Sequence, residues 1–298
     1  MKMKALVAAL ALVSGAANAS YANFADAANA GSLIFSAYDA TASGFFDLGL
    51  NTSQFTAANF GGVTSAGAGF ELKSLQVSWN FNSGSVTSTG QYDVSSLLAG
   101  VSGDWSAAWT AYQSHAAGSQ WDVFAADRNG STTSTQYFLS TAAAGSQTAV
   151  SNTTNAALLN FNTIGSWHDN QQLTGGGNHG SVANGANVIT DTTSGLYQGS
   201  NNAMKTNWNG KVTWSATGSA TSELDFYGLQ GGVNGVGSTA KVGATNFNGK
   251  FALNADTGVL TWTTQVAVPV AAVPEASTYA MLLAGLGLMG LMARRRVK

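Results

Sequence analysis

Short apolar and aromatic runs, separated by turns rich in Gly, Ser and Asn, constrain the fold of this chain more than any other feature. Phe70 to Trp79 alternates apolar and polar residues, which is the period of a strand with one buried face. The runs at 121–126 and 136–140 flank a turn-rich link and predict a hairpin, and 250–262 predicts another. We therefore expect a mainly β chain.

The number and shortness of these runs indicate how the strands are arranged. Many short strands with Gly, Ser and Asn turns favour a single β-sandwich or jelly-roll-like domain with a few short helices. An α+β arrangement is the alternative. Three further runs predict strands and three predict helices: strands at 33–38, 211–214 and 223–227, and helices at 94–99, 105–116 and 149–160.

The composition excludes several classes of protein. There is no cysteine, so disulfides, thiolate nucleophiles and Cys-ligated metal sites are excluded. Charged residues make up only 9% of the chain. Residues 20–273 hold six basic and thirteen acidic side chains, a net charge of −7. A nucleic-acid partner would need a basic patch, which this body does not have, so we predict no nucleic-acid partner.

The N-terminus has the three parts of an export signal. A positive segment, Met1 to Lys4, precedes an apolar run at 5–13. Ala17 and Ala19 then form a small-x-small cleavage site. We predict that residues 1–19 are a cleaved signal peptide, because the apolar run is too short to span a bilayer. An uncleaved anchor is the alternative.

The C-terminus contains a second apolar segment. No residue from 276 to 293 is charged, and these 18 residues would measure about 27 Å as a helix. We predict a transmembrane helix here, since the hydrocarbon core is about 30 Å thick; a buried core helix is the alternative. A basic tail at 294–298 follows, and its arginines would stop transfer and stay in the cytoplasm: Arg294, Arg295 and Arg296.

The segment before this helix is predicted to be extended. The only two prolines of the chain are Pro269 and Pro274. Each disfavours helix at the residue that precedes it. We assign 20–265 to the exported body domain and 266–275 to a stiff spacer that contains the sorting motif.

The motif is Val273, Pro274, Glu275 and Ala276, followed by the apolar run and the arginines. This tail resembles the PEP-CTERM sorting signal, although Ala276 stands where that signal has a second proline. The resemblance implies processing by exosortase after transient anchoring in the inner membrane, in a Gram-negative bacterium. It further implies delivery to the cell surface or to an exopolysaccharide or biofilm matrix. A plain single-pass anchor is the alternative.

No catalytic motif, metal site or cofactor site is predicted in the body. Three weaker patterns have simpler explanations. Solvated loops explain a His/Asp group, which consists of His168, Asp169, His179 and Asp191. A hairpin turn explains a run of oxygen side chains at 127–133, which lacks the final Glu of a calcium loop, and a solvated strand face explains the pair Glu223 and Asp225.

Four tryptophans in or beside predicted strands are candidates for stacking on sugar rings: Trp79, Trp208, Trp214 and Trp262. Core packing is the alternative explanation for most of them.

Three functions follow from the sequence. The favoured one is an exported surface or matrix protein; a carbohydrate-binding module comes second, and a secreted glycan hydrolase built on Glu223 and Asp225 comes third.

Overall fold

The computed structural model describes residues 31–128, 136–159, 185–199, 212–270 and 276–296. Strands hold more of these residues than helices do, and the strands form one large antiparallel sheet of eleven. The predicted mainly β fold with a few short helices is confirmed. The signal segment at 1–19 lies outside the described residues.

The strands follow one another around the sheet in an order that differs from their order in the chain. The neighbours run β4-β3-β11-β10-β9-β6-β5-β1-β2-β7, and β8 pairs with β5 beside this path. The strands are β1 Ser32–Tyr38, β2 Ser43–Asn51, β3 Phe70–Asn80, β4 Ser85–Gly90, β5 Gln120–Arg128, β6 Gln136–Ala143, β7 Ala186–Ile189, β8 Gly218–Ser219, β9 Glu223–Gln230, β10 Gly243–Asn254 and β11 Val259–Pro269.

Both predicted hairpins are present. Ala126 lies opposite Phe138 in the β5–β6 pair. Asn254 lies opposite Val259 in the β10–β11 pair. The second turn closes where Gly258, with φ of 64°, donates its N–H to the Asn254 carbonyl at 2.9 Å. A positive φ is readily adopted by glycine, which explains the residue at this position.

The sheet folds over until its two ends face each other across a core. Trp79 of β3 donates its indole N–H to the Leu48 carbonyl of β2 at 3.0 Å. Phe35 of β1 stacks on Phe81, just after β3, with ring centroids 5.1 Å apart. Because β3 and β2 stand near opposite ends of the strand order, one continuous sheet supplies both layers that the sandwich prediction expected.

The helices are short, apart from the last. They are α1 Ala57–Phe60, α2 Ser106–Ala116, α3 Gln147–Ser151, α4 Asn155–Leu159 and α5 Ala276–Arg296. The helix predicted at 105–116 is confirmed, and it buries Trp109 and Tyr112 in the core. The helix predicted at 149–160 is divided between α3 and α4.

Two predicted elements are wrong. Residues 94–99 form turns rather than a helix, and the Asp93 carboxylate accepts the Ser95 N–H at 2.8 Å. A short side chain that bonds its own backbone in this way competes with helix formation. Residues 212–214 form bends rather than a strand, while Val212 and Trp214 are buried in a second, smaller core.

The terminal helix predicted at 276–293 is present as α5. Among the residues that the structure describes, no helix is long and apolar enough to cross a membrane. The crossing of a membrane by α5 stays a prediction.

Candidate functional site

The sheet holds the chain almost up to the sorting segment. Strand β11 pairs with β3 along its whole length, ending with Pro269 opposite Phe70. The N–H of Val270 then donates to the Gly69 carbonyl at 2.9 Å. Residues 266–269, which the sequence assigns to the spacer, are thus the end of a strand. Only 271–275 separate the last sheet hydrogen bond from α5.

The predicted sorting residues lie at and beyond this point. Val273, Pro274 and Glu275 are outside the described residues, and Ala276 is the first residue of α5. The large apolar side chains of α5 that the structure describes are exposed, with exposed fractions from 54% at Leu286 to 77% at Met281. Exposed apolar surface of this kind marks a place where another surface binds.

A shallow groove of about 650 Å³ crosses the outer face of the sheet over β4, β3, β11 and β10. Thr89, Gln76, Thr263 and Lys250 follow one another across these four strands as register partners. All four side chains are exposed. Directly opposed side chains on one face lie close together, so they form a continuous row.

The groove is electrically neutral. Among the described residues that line it, Lys250 has the one charged side chain. Its ammonium group lies 3.1 Å from the Glu223 carboxylate. Eight of the twelve other lining residues carry a hydroxyl or amide group, so the groove offers several neutral hydrogen-bonding groups.

The carboxylates of the hydrolase hypothesis lie beside this groove on an open face. Glu223 is exposed and paired with Lys250, and Asp225 accepts the Gly145 N–H at 3.4 Å. General acid–base hydrolysis of a glycosidic bond needs two carboxyl groups that flank a bound sugar. The surroundings of this pair form a solvated strand face rather than such a pocket.

Three of the four candidate stacking tryptophans are core residues. Trp79 and Trp262 are fully buried and Trp214 is 3% exposed. The indole of Trp262 donates to the Phe60 carbonyl at 3.1 Å, and that of Trp214 to Thr153 Oγ1 at 3.0 Å. A buried ring presents no face to a sugar, so stacking is corrected to core packing for these three, and Trp208 lies outside the described residues.

The other candidate residues do not form a metal site where they can be placed. His168, Asp169, His179 and 129–133 lie outside the described residues. Asp191 is exposed and accepts the backbone N–H and hydroxyl of Thr193 at 2.9 and 2.7 Å. In the described part of the chain, no three His, Cys, Asp or Glu side chains gather in one place.

The structure adds a His–Asp pair that sequence reasoning missed. His115, in the last turn of α2, places Nδ1 2.8 Å from Asp39 Oδ2. Thr41 Oγ1 lies 3.2 Å from the same ring nitrogen. These contacts of Nδ1 join the end of the helix to the β1–β2 turn. Burial opposes ionisation of Asp39, but hydrogen bonds from Thr41, His115 and Ala42 outweigh it and lower the pKa of that carboxyl.

The chain has a β-rich body, and an exposed apolar helix with terminal arginines follows it. This is the organisation of an exported protein with a C-terminal sorting segment. A family model, the PEP-CTERM protein-sorting motif, matches residues 272–296. The chain is thus an exported, membrane-transiting protein that carries the signal for sorting by exosortase. No curated protein and no solved structure matches the chain. The resemblance is therefore confirmed for the tail, even with Ala276 in place of the second proline.

Proposed function

We propose that exosortase releases the β body from its tail and that the body then serves at the cell surface or in the extracellular matrix as a structural or interaction protein. The observation that carries the proposal is the position of the sorting motif directly after the last sheet hydrogen bond, that of Val270. Cleavage within 271–275 would leave every pair of β11 with β3 intact, because that pairing ends at Pro269.

The tail supports transient binding to the inner membrane before release. The apolar side chains of α5 are exposed, and Arg295 near its end is exposed as well. Apolar side chains followed by arginines suit a membrane surface whose cytoplasmic side attracts positive charge. Residues 1–19 would direct the body across the same membrane as a signal peptide.

The two prolines provide a matched test of this proposal. Pro274→Ala changes the sorting motif, whereas Pro269→Ala changes the strand end four residues before it. In a host with exosortase, we expect Pro269→Ala to be released like the original chain. Pro274→Ala should stay in the membrane fraction, as seen by immunoblotting of fractionated cells. Equal release of both variants would contradict processing at the motif.

The neutral groove favours a second candidate function, the binding of an uncharged exopolysaccharide strand. A polyhydroxylated chain matches a surface of hydroxyl and amide groups, and each added contact contributes a modest net stabilisation of about 0.5–1.5 kcal/mol. The net negative charge of residues 20–273 disfavours an anionic glycan.

Binding to this groove can be tested with a soluble neutral glucan and with an anionic polysaccharide of similar length. We expect the neutral glucan alone to bind in isothermal titration calorimetry. The double variant Gln76→Ala/Thr263→Ala should lose binding, because both side chains line the groove. Thr87→Ala, on the same strand as Thr89 but outside the lining, is the control. Unchanged binding by the double variant would place the glycan elsewhere.

A further inference from the structure

Four buried polar atoms of three side chains lack a hydrogen-bond partner and lie on one side of the sheet. They are both carboxylate oxygens of Asp122, Nε2 of Gln198 and Oγ1 of Thr217. The three residues are 0%, 1% and 4% exposed. Buried polar groups are almost always satisfied, so a cluster of such atoms indicates a position for a bound species.

The strand register brings these side chains together. Ser36 of β1 lies opposite Asp122 of β5. On the other side of β5, Trp121 lies opposite Gly218, which places Thr217 next to Asp122. Gln198 lies over this row, because its Oε1 accepts the Ser36 hydroxyl at 2.5 Å. These buried side chains together define a polar pocket around one carboxyl group.

The carboxyl group has no charge partner in this pocket. The ion pairs of the described side chains do not include Asp122. Burial raises the pKa of Asp122 well above its ordinary value, and the polar Ser36 hydroxyl on the neighbouring strand opposes the shift. A buried carboxylate is stable when it is paired or binds a metal ion, and otherwise it takes up a proton.

The pocket can present oxygen atoms alone to a bound ion. The amide of Gln198 can be turned end for end with almost no change of shape. Its Nε2 then donates to Ser36, and its Oε1 joins Thr217 Oγ1 and the two Asp122 oxygens. Carboxylate, amide and hydroxyl oxygens are the ligands that hard cations prefer.

We propose that Asp122, Thr217 and Gln198 form a buried binding site for a hard divalent cation of the calcium class. With one carboxylate, the site is expected to be weak, in the range of about 10⁻⁴ to 10⁻³ M that is common in extracellular modules. The site itself is independent of the proposed function, whereas its occupancy in the cell rests on export to a calcium-containing exterior.

The first test compares thermal unfolding of the full-length chain, purified in mild detergent, with EDTA and with about 5 mM calcium. We expect calcium to raise the unfolding temperature by about 3–6 °C. Asp122→Asn should remove this shift. Asp47→Asn is the matched control, because Asp47 is also fully buried but accepts the Gly49 N–H at 2.9 Å. It should keep the shift.

The second test uses Tb³⁺ as a luminescent substitute for calcium. Tyr38 lies two residues after Ser36 on the same face of β1 and opposite Gln120 of β5, which makes this phenol the expected sensitiser of Tb³⁺. We expect tyrosine-sensitised emission that calcium displaces. Thr217→Val preserves the shape of the side chain without its oxygen and should weaken the emission, which keeps the test informative if Asp122→Asn does not fold.

Two results would overturn the proposal. One is the same unfolding temperature with EDTA and with calcium, together with no Tb³⁺ emission. The other is an Asp122→Asn variant that keeps both responses. If neither the original chain nor Asp122→Asn responds to calcium and the variant is the more stable of the two, Asp122 is a protonated acid and the proposal is wrong. Failure of exosortase processing would leave all of these results unaffected, so the two proposals are tested separately.

Discussion

Replacing Trp79 with phenylalanine tests whether the two ends of the sheet are joined across the core. Trp79 is fully buried, and its N–H donates to the Leu48 carbonyl at 3.0 Å. Leu48 lies in the irregular part of β2, where the register with β1 shifts between Ser32 and Ile34. Phenylalanine keeps an aromatic ring but has no donor, so the carbonyl loses this bond.

The expected loss of stability can be worked out from these contacts. A buried carbonyl without a partner costs about 1–3 kcal/mol. The smaller ring leaves a cavity that adds about 1 kcal/mol. Trp79→Phe should therefore lower the free energy of unfolding by about 2–4 kcal/mol.

Urea unfolding followed by far-ultraviolet circular dichroism measures this difference. Phe70→Leu, at the exposed start of the same strand, is the control and should change the free energy by less than about 0.5 kcal/mol. If Trp79→Phe behaved like this control, the contact between β3 and β2 would not be part of the folded core.

Three further predictions concern buried charge and backbone conformation. Burial raises the pKa of Asp47 to about 7, so the folded chain keeps a proton that the unfolded chain releases near its ordinary pKa of 3.8. Stability in EDTA should fall as the pH rises between these values, and Asp47→Asn should make the fall less steep in thermal unfolding, because the buried Asp122 contributes to it as well; an equally steep profile would contradict this. Gly258→Ala should cost about 2 kcal/mol or more in urea unfolding, because φ is 64° and a Cβ would lie 2.4 Å from Trp109 Nε1; a neutral effect would refute it. Asn248 has φ of 51°, so Asn248→Val should destabilise more than Asn248→Gly, and the reverse order would argue against this backbone.

The sequence predicts those parts of the fold whose signals are local. The β10–β11 hairpin is predictable because Asn254 and Gly258 supply the turn chemistry. Strand β2 was missed, since both of its faces are buried and Gly44, Asp47 and Gly49 interrupt its apolar run. Strand β4 was missed because an exposed edge strand needs few apolar residues.

The same distinction applies to the candidate sites. The sorting motif is a continuous segment, so it can be recognised from the sequence alone. The polar pocket depends on tertiary contacts, such as that between Ser36 and Gln198, which are 162 residues apart. The alternation of apolar and polar residues predicts that Trp79 and Trp262 share a face of the sheet. It does not indicate whether that face lies against the core or the solvent.

The central claim is that the sorting tail is removed from an exported body, and intact mass spectrometry of the mature protein tests it most directly. The protein is produced in one host with exosortase and in another without it. We predict a chain that begins at Ser20 and ends near Pro274 or Glu275 only where exosortase is present. A chain that still ends at Lys298 in both hosts would contradict the account.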